Sequence, residues 1–576
     1  MKMLTEKLQE NISFIKDALP AEDIIVYRFR TQSGTECAAV YADGLVDKAV
    51  LGDLAARPLI ERLAFEDGRT SKDDVQEEKA EGGAGERQSG EAGAEKVKET
   101  LLFPEIKEET QPKTLFQEVL DGNCLFLVDG IAKGFIVGAK KPPVRAVAEP
   151  PTDVAVKGPR EGFIEDIKTN MALLRKRLKT PDLRFEMSKV GRRSETNVAV
   201  CWLEGISDSK IKDEIVRRIR EIDIDYIPDS SYIADFLVPR KHSFFRQIGT
   251  TEKPDVFAAK LAEGRIGIFV DGSPIALTAP FIFLEDFQSG EDYYVSPFMA
   301  TILRAIRFVA VFISLLLPAF YVSSQLFKMQ LIPLGLTLTI ASSIQGLPLS
   351  PSLEMFLVLL VLEVLKEASI RMPKYVGMAL SVVGALVLGE ASVSAGFVST
   401  PAIIIVAFSG ICLYTVPNFI EAGSILRWLF LLVAGSIGPF GIVLLGAFLL
   451  YYLLSADAFG MPLLAPFTPL VPHDLKDALV KYNMQSLKER PALFRSPNRV
   501  RLRSSDFSSD TPSDSPKNRA AEGQTQPCDA AAKETGETGD GEPGKGETPK
   551  RHAMNGNRKN DSPKKAKNQE QGGTRT

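Results

Sequence analysis

The most unusual chemistry in this sequence is a group of charged side chains inside an apolar stretch. Residues 356–373 read FLVLLVLEVLKEASIRMP, so a run suited to a bilayer carries Glu363, Lys366, Glu367 and Arg371 in close succession. Each charge would cost about 2.5–3.5 kcal/mol at the centre of a bilayer if it faced lipid. Glu363 and Glu367 are one helical turn apart, as are Glu367 and Arg371, so these side chains can form one stripe that faces protein or water.

An interfacial helix is the other explanation of the same charges. Three of the four charged residues fall in the carboxyl-terminal half of the stretch, which fits a helix whose end lies among the lipid headgroups at the cytosolic surface. The residues leave both explanations open.

Motifs typical of enzymes and metal sites are missing from the sequence. There is no Walker A motif and no CxxC pair, and no GxGxxG spacing follows a predicted strand as a dinucleotide motif requires. The segment AGSIG at 434–438 is the nearest approach to a serine-hydrolase elbow, but its spacing is wrong and it lies in an apolar run. The three histidines and five cysteines are widely scattered. We therefore expect no enzyme, no cofactor, no metal site and no disulfide framework, and a net charge of -4 gives no reason to expect a nucleic-acid partner.

Hydropathy divides the chain into a polar amino-terminal part and an apolar part. The first twenty residues mix Lys, Glu and Asp and lack the apolar core of a secretory signal peptide. After residue 301 the chain contains apolar runs of the length that a bilayer requires. Spans are predicted at 302–322, 331–344, 375–398, 401–419 and 426–454, of which the second is short enough for a re-entrant segment.

Basic residues predict the orientation of this multi-pass protein in the cell membrane. Arg304 and Arg307 lie at the start of the first span, Lys366, Arg371 and Lys374 precede the third, and the carboxyl-terminal tail is rich in Lys and Arg. Positive charge accumulates on the cytosolic side of membrane proteins. Both termini are therefore predicted to be cytosolic, with four or six crossings.

The polar part contains an internal repeat. ENISFIKDALPAEDI from residue 10 aligns with TNMALLRKRLKTPDL from residue 169, and GNCLFLVDG from residue 122 aligns with GRIGIFVDG from residue 264. Each copy predicts an amphipathic helix, two strands, a further helix and a hairpin with an Asp-Gly turn. The fold class is therefore predicted as an α/β soluble region of two duplicated lobes, followed by an α-helical polytopic membrane domain and a disordered tail.

Composition sets the predicted domain boundaries. An insert at about 66–110, rich in Glu, Gly and Lys, and the polar tail both have the composition of disordered segments. The predicted organisation is a first cytosolic lobe at 1–150 with this insert, a second lobe at 151–297, a transmembrane domain at 298–472, a cytosolic coda at 473–502 and the tail at 503–576.

Several segments resemble the A subunits of GerA-type spore germinant receptors. The clearest likeness lies in VKGPREGFIEDIKTNMALLRKRLKTPDLRFE from residue 156, followed in order by TEKPDVFAAKLAEGRIGIFVDGSPIALTAP, EDYYVSPF, LKEASIRMP and GEASVSAG. The likeness covers about 156–501. Lys366, Ser369 and Glu390 depart from the Arg, Gly and Gln that are usual in the family.

The resemblance implies a subunit of a nutrient-responsive receptor in the inner membrane of a dormant spore. Such subunits are expected to work with a transporter-like B subunit and a C lipoprotein, and to form a homo-oligomeric ring that acts as a nutrient-gated channel for monovalent cations and triggers germination. An accessory homologue from the stage V sporulation proteins, acting as an ion channel or scaffold that amplifies germination, is the alternative. A secondary transporter fits less well, because such proteins contain corresponding membrane halves with broken helices.

In such a ring, the helix predicted at 375–398 is the candidate pore lining. Its small residues recur at three- and four-residue steps, which fits close helix packing and also a narrow pore. Val393 would be an apolar gate, Glu390 a ring that attracts cations, and Ser381 and Ser392 part of a hydroxyl lining.

The segment GPREGF at 158–163 is the candidate subunit contact. Arg160 and Glu161 precede a predicted helix in the region of clearest family likeness. We expect a contact with another subunit or with the membrane domain. A turn that caps the following helix is the alternative.

Overall fold

The computed structural model describes residues 3–63, 85–140, 157–238, 243–327, 330 and 332–502. The predicted disordered tail lies outside the described residues. So do residues 64–84, which include the start of the predicted insert, and residues 141–156 between the two predicted lobes.

The first lobe is an antiparallel sheet with helices on both faces. Its elements along the chain are α1 (Leu8–Ala18), β1 (Ile24–Arg30), β2 (Glu36–Ala42), α2 (Lys48–Leu51), a π-helical turn (Gly52–Ala56), α3 (Arg57–Arg62), α4 (Gly85–Thr100), β3 (Ile106–Glu109), α5 (Pro112–Leu120), β4 (Cys124–Val128) and β5 (Gly134–Val137). The strands lie in the order β1-β2-β4-β5-β3.

Both faces of this sheet are buried, and alternate residues of β2 serve the two faces. Ala38 and Val40 pack with α1 and α5, whereas Cys37, Ala39 and Tyr41 pack with α2, α3 and α4. This two-residue alternation follows from the pleat of a strand. A sheet covered on both sides explains why every residue of β4 is buried.

The predicted disordered insert is ordered over its second half. Ala94, Val97 and Leu101 are buried against the sheet, and β3 pairs with β5 at the sheet edge. The prediction of disorder is therefore wrong for 85–110. Three apolar residues at three- and four-residue spacing are enough to give α4 a core-facing side, even though Glu, Lys and Gly dominate its composition.

The second lobe repeats this plan. Its elements are α6 (Ile167–Arg177), β6 (Leu183–Val190), β7 (Thr196–Leu203), α7 (Ser209–Arg220), α8 (Ser230–Leu237), β8 (Gly249–Thr251), α9 (Pro254–Ala262), β9 (Ile266–Val270) and β10 (Ala276–Ala279). The antiparallel strands lie in the order β6-β7-β9-β10-β8, which matches the order in the first lobe. One face is covered by α6 and α9 and the other by α7 and α8.

The two predicted Asp-Gly hairpins occupy corresponding positions in the two sheets. Gly130 and Gly272 have φ of +85° and +84°, a backbone conformation that glycine adopts without strain. The Oδ1 atom of Asp129 accepts a hydrogen bond from the first backbone N–H of α1 at 2.9 Å, and that of Asp271 accepts one from the first N–H of α6 at 3.4 Å. Each hairpin therefore holds the first helix of its own lobe.

The apolar part is a set of helices. They are α10 (Pro297–Phe327), α11 (Leu334–Ile344), α12 (Pro351–Arg371), α13 (Lys374–Leu386), a π-helical turn (Val387–Ala391), α14 (Ser392–Ser394), α15 (Thr400–Tyr414), α16 (Ile420–Ile437) and α17 (Pro439–Ser455). Among the described residues, three helical stretches are long and apolar enough to cross a membrane, at Pro297–Phe327, Tyr375–Ser394 and Pro417–Ile437. Shorter apolar helices are α11, α15 and α17.

The predicted span at 426–454 is in fact two helices. α16 ends before Gly438, which has φ +77° and ψ -152°, and α17 begins at Pro439. This backbone conformation lies outside the helical region, and a proline after it has no N–H to continue the hydrogen-bond ladder. The single predicted span is therefore wrong, because the Gly-Pro pair interrupts an otherwise continuous apolar run.

Aromatic side chains join the second lobe to one end of the helices, called the lobe side below. The ring of Phe245, just before β8, lies 5.4 Å from that of Phe283, 6.4 Å from that of Phe419 at the start of α16 and 6.1 Å from that of Tyr452 near the end of α17. The opposite ends form the far side, where Gly438 packs closely against the Phe327 ring at the end of α10.

After α17 the chain returns to the second lobe. A short hairpin forms from β11 (Asp457–Ala458) and β12 (Met461–Pro462). Met461 and Phe494 are buried in the core on the α7 and α8 side of the second lobe. The apolar helices therefore end at Ser455 rather than near the predicted boundary at 472, and the predicted coda at 473–502 packs on the second lobe.

Candidate functional site

Two of the four charged residues predicted on α12 face the interior of the helix bundle. Arg427 of α16 is 2% exposed and donates a hydrogen bond to Glu363 Oε1 at 2.6 Å. Lys366 forms an ion pair with the same carboxylate. Arg427 also donates to the Ser409 hydroxyl at 3.3 Å, and that hydroxyl donates to the Ser314 carbonyl at 2.8 Å. The three charged residues, called the central ion cluster below, therefore join α10, α12, α15 and α16.

The central ion cluster carries two positive charges and one negative charge. Burying such charges is costly unless each has a partner, and removing one partner of a buried pair typically destabilises a protein by about 3–5 kcal/mol. Lys366 Nζ also donates to the Ser424 hydroxyl at 3.2 Å. The cluster provides a polar layer inside an apolar bundle, and its position depends on the packing of four helices.

The other two charged residues point away from the bundle. Glu367 and Arg371 form an ion pair with each other at 2.6 Å, and their side chains are 57% and 78% exposed. The structure therefore divides the predicted stripe: Glu363 and Lys366 contact protein, while Glu367 and Arg371 lie on the outer surface near the end of α12.

The predicted pore helix is α13, continued by the π-helical turn and α14. In the most apolar 18-residue stretch of this helix, 14% is buried, compared with 39% in the corresponding stretch of each of the other two candidate spans. Val382 and Leu386 are 72% and 59% exposed. Ser381 lies in α13, and its side chain is outside the described part of the structure. This helix therefore presents a long apolar surface to its surroundings.

The predicted gate residues lie where this helix departs from α-helical geometry. Glu390 is exposed within the π-helical turn, and Ser392 and Val393 follow it half-buried in α14. The Ser392 hydroxyl donates to the Val387 carbonyl at 2.8 Å. π-helical turns inside helices often occur at functional sites. Gly396, with φ +67°, then turns the chain into α15.

Glu161 interacts with its own lobe. Its carboxylate accepts hydrogen bonds from Lys176 at 2.8 Å and Arg177 at 2.9 Å, both at the end of α6. The hydrogen bond from Lys176, together with both positive charges, holds the pKa of Glu161 below its ordinary value although partial burial opposes this. Arg160 is exposed on the lobe surface, so a role in subunit contact stays a prediction.

The start of the same segment contacts the connection between the second lobe and α10. A Cβ atom on Gly158 would lie 2.7 Å from the Tyr294 ring, so the close approach requires glycine. The Lys157 N–H donates to Glu291 Oε1 at 3.2 Å, and the Tyr294 hydroxyl donates to Asp255 at 2.6 Å. The predicted site thus touches the segment that leads into the first long helix.

A second ion cluster, which the sequence did not reveal as a site, lies at the lobe-side end of α10. Asp292 is fully buried and accepts a hydrogen bond from Arg304 Nε at 3.0 Å and two from Arg307 at 2.9 Å. Arg304 also donates to the Asp477 carboxylate at 3.0 Å. We call these four residues the basal ion cluster. Burial raises the pKa of Asp292, but the hydrogen bonds and charges of the two arginines outweigh it and hold the pKa below its ordinary value.

The basal ion cluster ties three parts of the chain together. Asp292 follows the second lobe, the arginines begin α10, and Asp477 belongs to the coda. The Lys481 ammonium donates to the Asp292 carbonyl and lies 4.4 Å from the Tyr293 ring centroid. Hydrogen bonds and ion pairs therefore connect the segment after the second lobe directly to α10 and to the coda.

Comparison with known proteins identifies the family of this chain. A family profile described as Bacillus/Clostridium GerA spore germination protein matches residues 9–493. The chain belongs to this family. The match includes the first lobe, so it extends further towards the amino terminus than the likeness seen in the sequence at 156–501.

Individual relatives are similar over most of their length. Spore germination protein KA of Bacillus subtilis (strain 168) is 33% identical over 504 residues, covering 87% of this chain and 89% of the relative. Spore germination protein GerLA of Bacillus cereus is 32% identical over 85% of this chain and 96% of the relative. The uncharacterized membrane protein YfkQ of Bacillus subtilis (strain 168) is 33% identical over 84% of this chain and 90% of the relative.

A solved structure also aligns with this GerA-family chain. It is the crystal structure of the N-terminal domain of the A subunit of the Bacillus megaterium spore germinant receptor GerK3, 30% identical, with a TM-score of 0.35 over 49% of this chain and 98% of the solved one.

Proposed function

We propose that this GerA-family protein is the A subunit of a spore germinant receptor, and that copies of it form a ring-shaped channel through which monovalent cations pass when a nutrient is present. Family membership and the relatives named as spore germination proteins support the receptor part of this proposal. The channel part depends on the geometry of one helix.

The observation that carries the channel proposal is the exposed helix formed by α13 and α14. A helix that is apolar and little covered by its own chain needs other apolar surfaces around it, either lipid or further helices. Lipid alone does not account for Glu390, which lies exposed near the far side, because a carboxylate facing hydrocarbon is costly. A ring of copies places Glu390 and Val393 around a shared aqueous axis, where charge attracts cations and an apolar constriction closes by dewetting.

Orientation follows from the arrangement of helix ends. The cytosol is proposed for the lobe side, because Arg304 and Arg307 lie there with the two lobes and the coda. α10, α12, α13, α15, α16 and α17 then alternate in direction, which gives six crossings with both termini in the cytosol. A transporter-like B subunit and a C lipoprotein are the proposed partners in the spore inner membrane.

The matching lobes support the proposed duplication. Strand order, the Asp-Gly hairpins and a buried asparagine recur in both. The Asn11 side-chain oxygen accepts a hydrogen bond from the Thr5 N–H, and that of Asn170 accepts one from the Ile164 N–H, each at 2.8 Å. We infer that one ancestral lobe was duplicated and that each copy kept the contacts that seat its first helix.

The experiment that tests the channel changes the width and charge of the proposed pore separately. Liposomes that contain the Val393→Ala protein should leak cations, because a smaller side chain weakens an apolar gate. Spores that carry this variant should be less dormant without nutrient. Glu390→Gln should keep the gate closed and reduce cation flux after activation. Val382→Ala, on an exposed part of the same helix away from the gate, is the matched control.

Two outcomes contradict parts of this proposal. If Val393→Ala chains conduct no more than unmodified chains, the gate does not lie at this residue. If spores that lack the protein respond normally to every nutrient but release their ions more slowly, the chain is an accessory amplifier of germination rather than a nutrient receptor subunit.

A further inference from the structure

A cluster of buried polar side chains on the far side of the helix bundle is only partly paired within the described part of the chain. It contains Glu354 at the start of α12, Tyr321, Ser324 and Gln325 near the end of α10, and Ser399 just before α15. All five are at least nine-tenths buried, and Glu354 and Ser324 are fully buried. We call this group the far-side oxygen cluster.

The carboxylate of Glu354 is half satisfied. Its Oε1 atom accepts a hydrogen bond from the Ser399 N–H at 2.5 Å. Its Oε2 atom is buried and has no hydrogen-bond partner among the described residues, and no basic side chain described in the structure forms an ion pair with it. The central ion cluster, in contrast, supplies two cations to one carboxylate. A buried carboxylate without a countercharge is among the most costly arrangements in a protein.

Other buried polar atoms near the end of α10 also have no hydrogen-bond partner among the described residues. Tyr321 belongs to the same buried cluster as Met355, which follows Glu354 in α12, and Val398, which precedes Ser399. The Tyr321 hydroxyl, the Ser324 hydroxyl and both polar atoms of the Gln325 amide are buried without a hydrogen-bond partner in the described residues. Buried polar groups normally have partners. The unpaired polar atoms on α10 and the half-paired carboxylate on α12 therefore indicate a shared missing ligand.

Charge and donor type identify the class of this ligand. Ser399 is the N-cap of α15, since its hydroxyl accepts from the Ala402 N–H. The Ser399 N–H at the positive end of that helix is bonded to one oxygen of Glu354, so the second oxygen is the one left to bind a ligand. The available donors are one carboxylate and neutral hydroxyl and amide oxygens. Divalent ions require several carboxylates or waters, whereas a single negative charge among neutral oxygens matches a singly charged ion.

We propose that the far-side oxygen cluster binds one dehydrated alkali metal ion, Na⁺ or K⁺, with Glu354 as its anionic ligand. Tyr321, Ser324 and Gln325 supply neutral oxygens from α10, and the ion locks the far end of α10 to the start of α12. The site is separate from the exposed helix that carries Val393. It stands whether or not the chain conducts ions.

The test uses the purified full chain in detergent. Thermal unfolding midpoints are measured in NaCl, KCl and choline chloride at equal ionic strength, together with equilibrium binding of radiolabelled rubidium as a K⁺ analogue. Unmodified protein should unfold at a higher temperature in an alkali salt than in choline and should bind rubidium saturably, because a ligand that binds the folded state stabilises it. Glu354→Gln should lose the alkali-dependent shift, and its rubidium affinity should fall by about tenfold or more.

Matched variants separate the site from a general salt effect. Glu367→Gln, an exposed carboxylate on the same helix, should behave like unmodified protein, and Tyr321→Phe should bind more weakly while still folding. Equal midpoints in all three salts would overturn the proposal, as would an alkali shift that survives in Glu354→Gln. A Glu354→Gln chain that is more stable than unmodified protein in every salt would also overturn it, since Glu354 would then be a protonated acid. Normal channel activity with no rubidium binding would reject this site alone and leave the proposed function untouched.

Discussion

Three arginines are the largest fully buried side chains of the described structure, and each reaches a carboxylate in a different element. The arginines are Arg175, Arg304 and Arg427, and their partners are Asp23, Asp292 and Glu363. Because arginine stays charged in proteins, none of them can adapt to burial by losing its proton. Each pair therefore marks a place where the correct packing of two elements is required before the charges can be buried.

The first residue-scale prediction concerns the buried pair of Glu363 and Arg427. Glu363→Gln should lower the free energy of unfolding by about 3–5 kcal/mol, because it leaves the buried cations Arg427 and Lys366 without a countercharge. A double change, Glu363→Gln with Arg427→Met, should recover a large part of this loss. Thermal or denaturant unfolding of the full chain in detergent measures both effects.

A control for this prediction lies on the same helix. Glu367→Gln breaks the exposed pair with Arg371 and should change stability by about 0–1 kcal/mol. Equal losses in Glu363→Gln and Glu367→Gln would show that burial of the Arg427 pair does not decide the stability of the bundle.

A second residue-scale prediction concerns pH. Burial, with a contribution from neighbouring Glu285, raises the pKa of Asp286 to about 7, although Arg246 at 3.7 Å partly offsets the shift. The unfolded chain releases this proton near pH 4. Between about pH 4 and pH 7 the folded state therefore holds a proton that the unfolded state has lost, so stability falls as pH rises, at about 1.4 kcal/mol per pH unit from this group.

Asp286→Asn should remove this part of the pH dependence. The unfolding midpoint of the variant should exceed that of unmodified protein at pH 8 and approach it at pH 4, since the amide cannot ionise. Parallel curves for the two proteins across this range would mean that Asp286 keeps an ordinary pKa in the folded chain.

At the scale of elements, the basal ion cluster joins the second lobe, α10 and the coda. Asp292→Asn removes the charge that both Arg304 and Arg307 contact. We expect a loss of about 3–5 kcal/mol in the unfolding free energy, with the coda becoming a preferred site of protease cleavage, because Arg304 also holds Asp477 there.

Limited proteolysis with mass spectrometry measures the release of the coda. Asp53→Asn, which breaks an exposed pair with Arg57, should leave the cleavage pattern unchanged. If the coda of Asp292→Asn resists the protease as well as that of unmodified protein, its other contacts with the second lobe hold it without this cluster.

Some elements could be predicted from local sequence and others could not. The strands and hairpins of the lobes follow from alternation and Asp-Gly turns, which depend on neighbouring residues. α4 escaped prediction because a few apolar residues were concealed by a charged composition. The break at Gly438 depended on one dipeptide inside a long apolar run. The partner of Glu363 could not be predicted, because Arg427 lies on another helix and their contact depends on how the helices pack.

At the scale of the whole molecule, the two lobes meet through a small interface built around one buried pair. Arg175 in α6 donates to both carboxylate oxygens of Asp23 at 2.9 and 2.7 Å and also to the Thr180 carbonyl at 3.1 Å. Ala172 packs nearby against Leu45 of the first lobe. A bidentate pair fixes orientation as well as distance, so this contact contributes to the angle between the lobes.

The corresponding carboxylate of the second lobe makes no contact of this kind in the described structure. Asp182, which aligns with Asp23 in the repeat, is exposed and accepts a hydrogen bond from the Thr180 hydroxyl at 2.9 Å. The two copies of the repeat thus differ at the position where the lobes meet. Asp182 lies at the surface of the second lobe, whereas Asp23 lies at the centre of the interface.

The last prediction is that this pair determines whether the lobes unfold together. Asp23→Asn leaves Arg175 buried without a countercharge, so we expect a loss of about 3–5 kcal/mol in the stability of the interface and separate thermal transitions for the two lobes where unmodified protein gives one. Asp121→Asn, which breaks the more exposed interlobe pair with Lys179, should keep a single transition. Differential scanning calorimetry of the full chain distinguishes these outcomes. If Asp23→Asn also unfolds in a single transition at an unchanged temperature, the lobes are held together by their apolar contact, and the buried pair serves only to orient them.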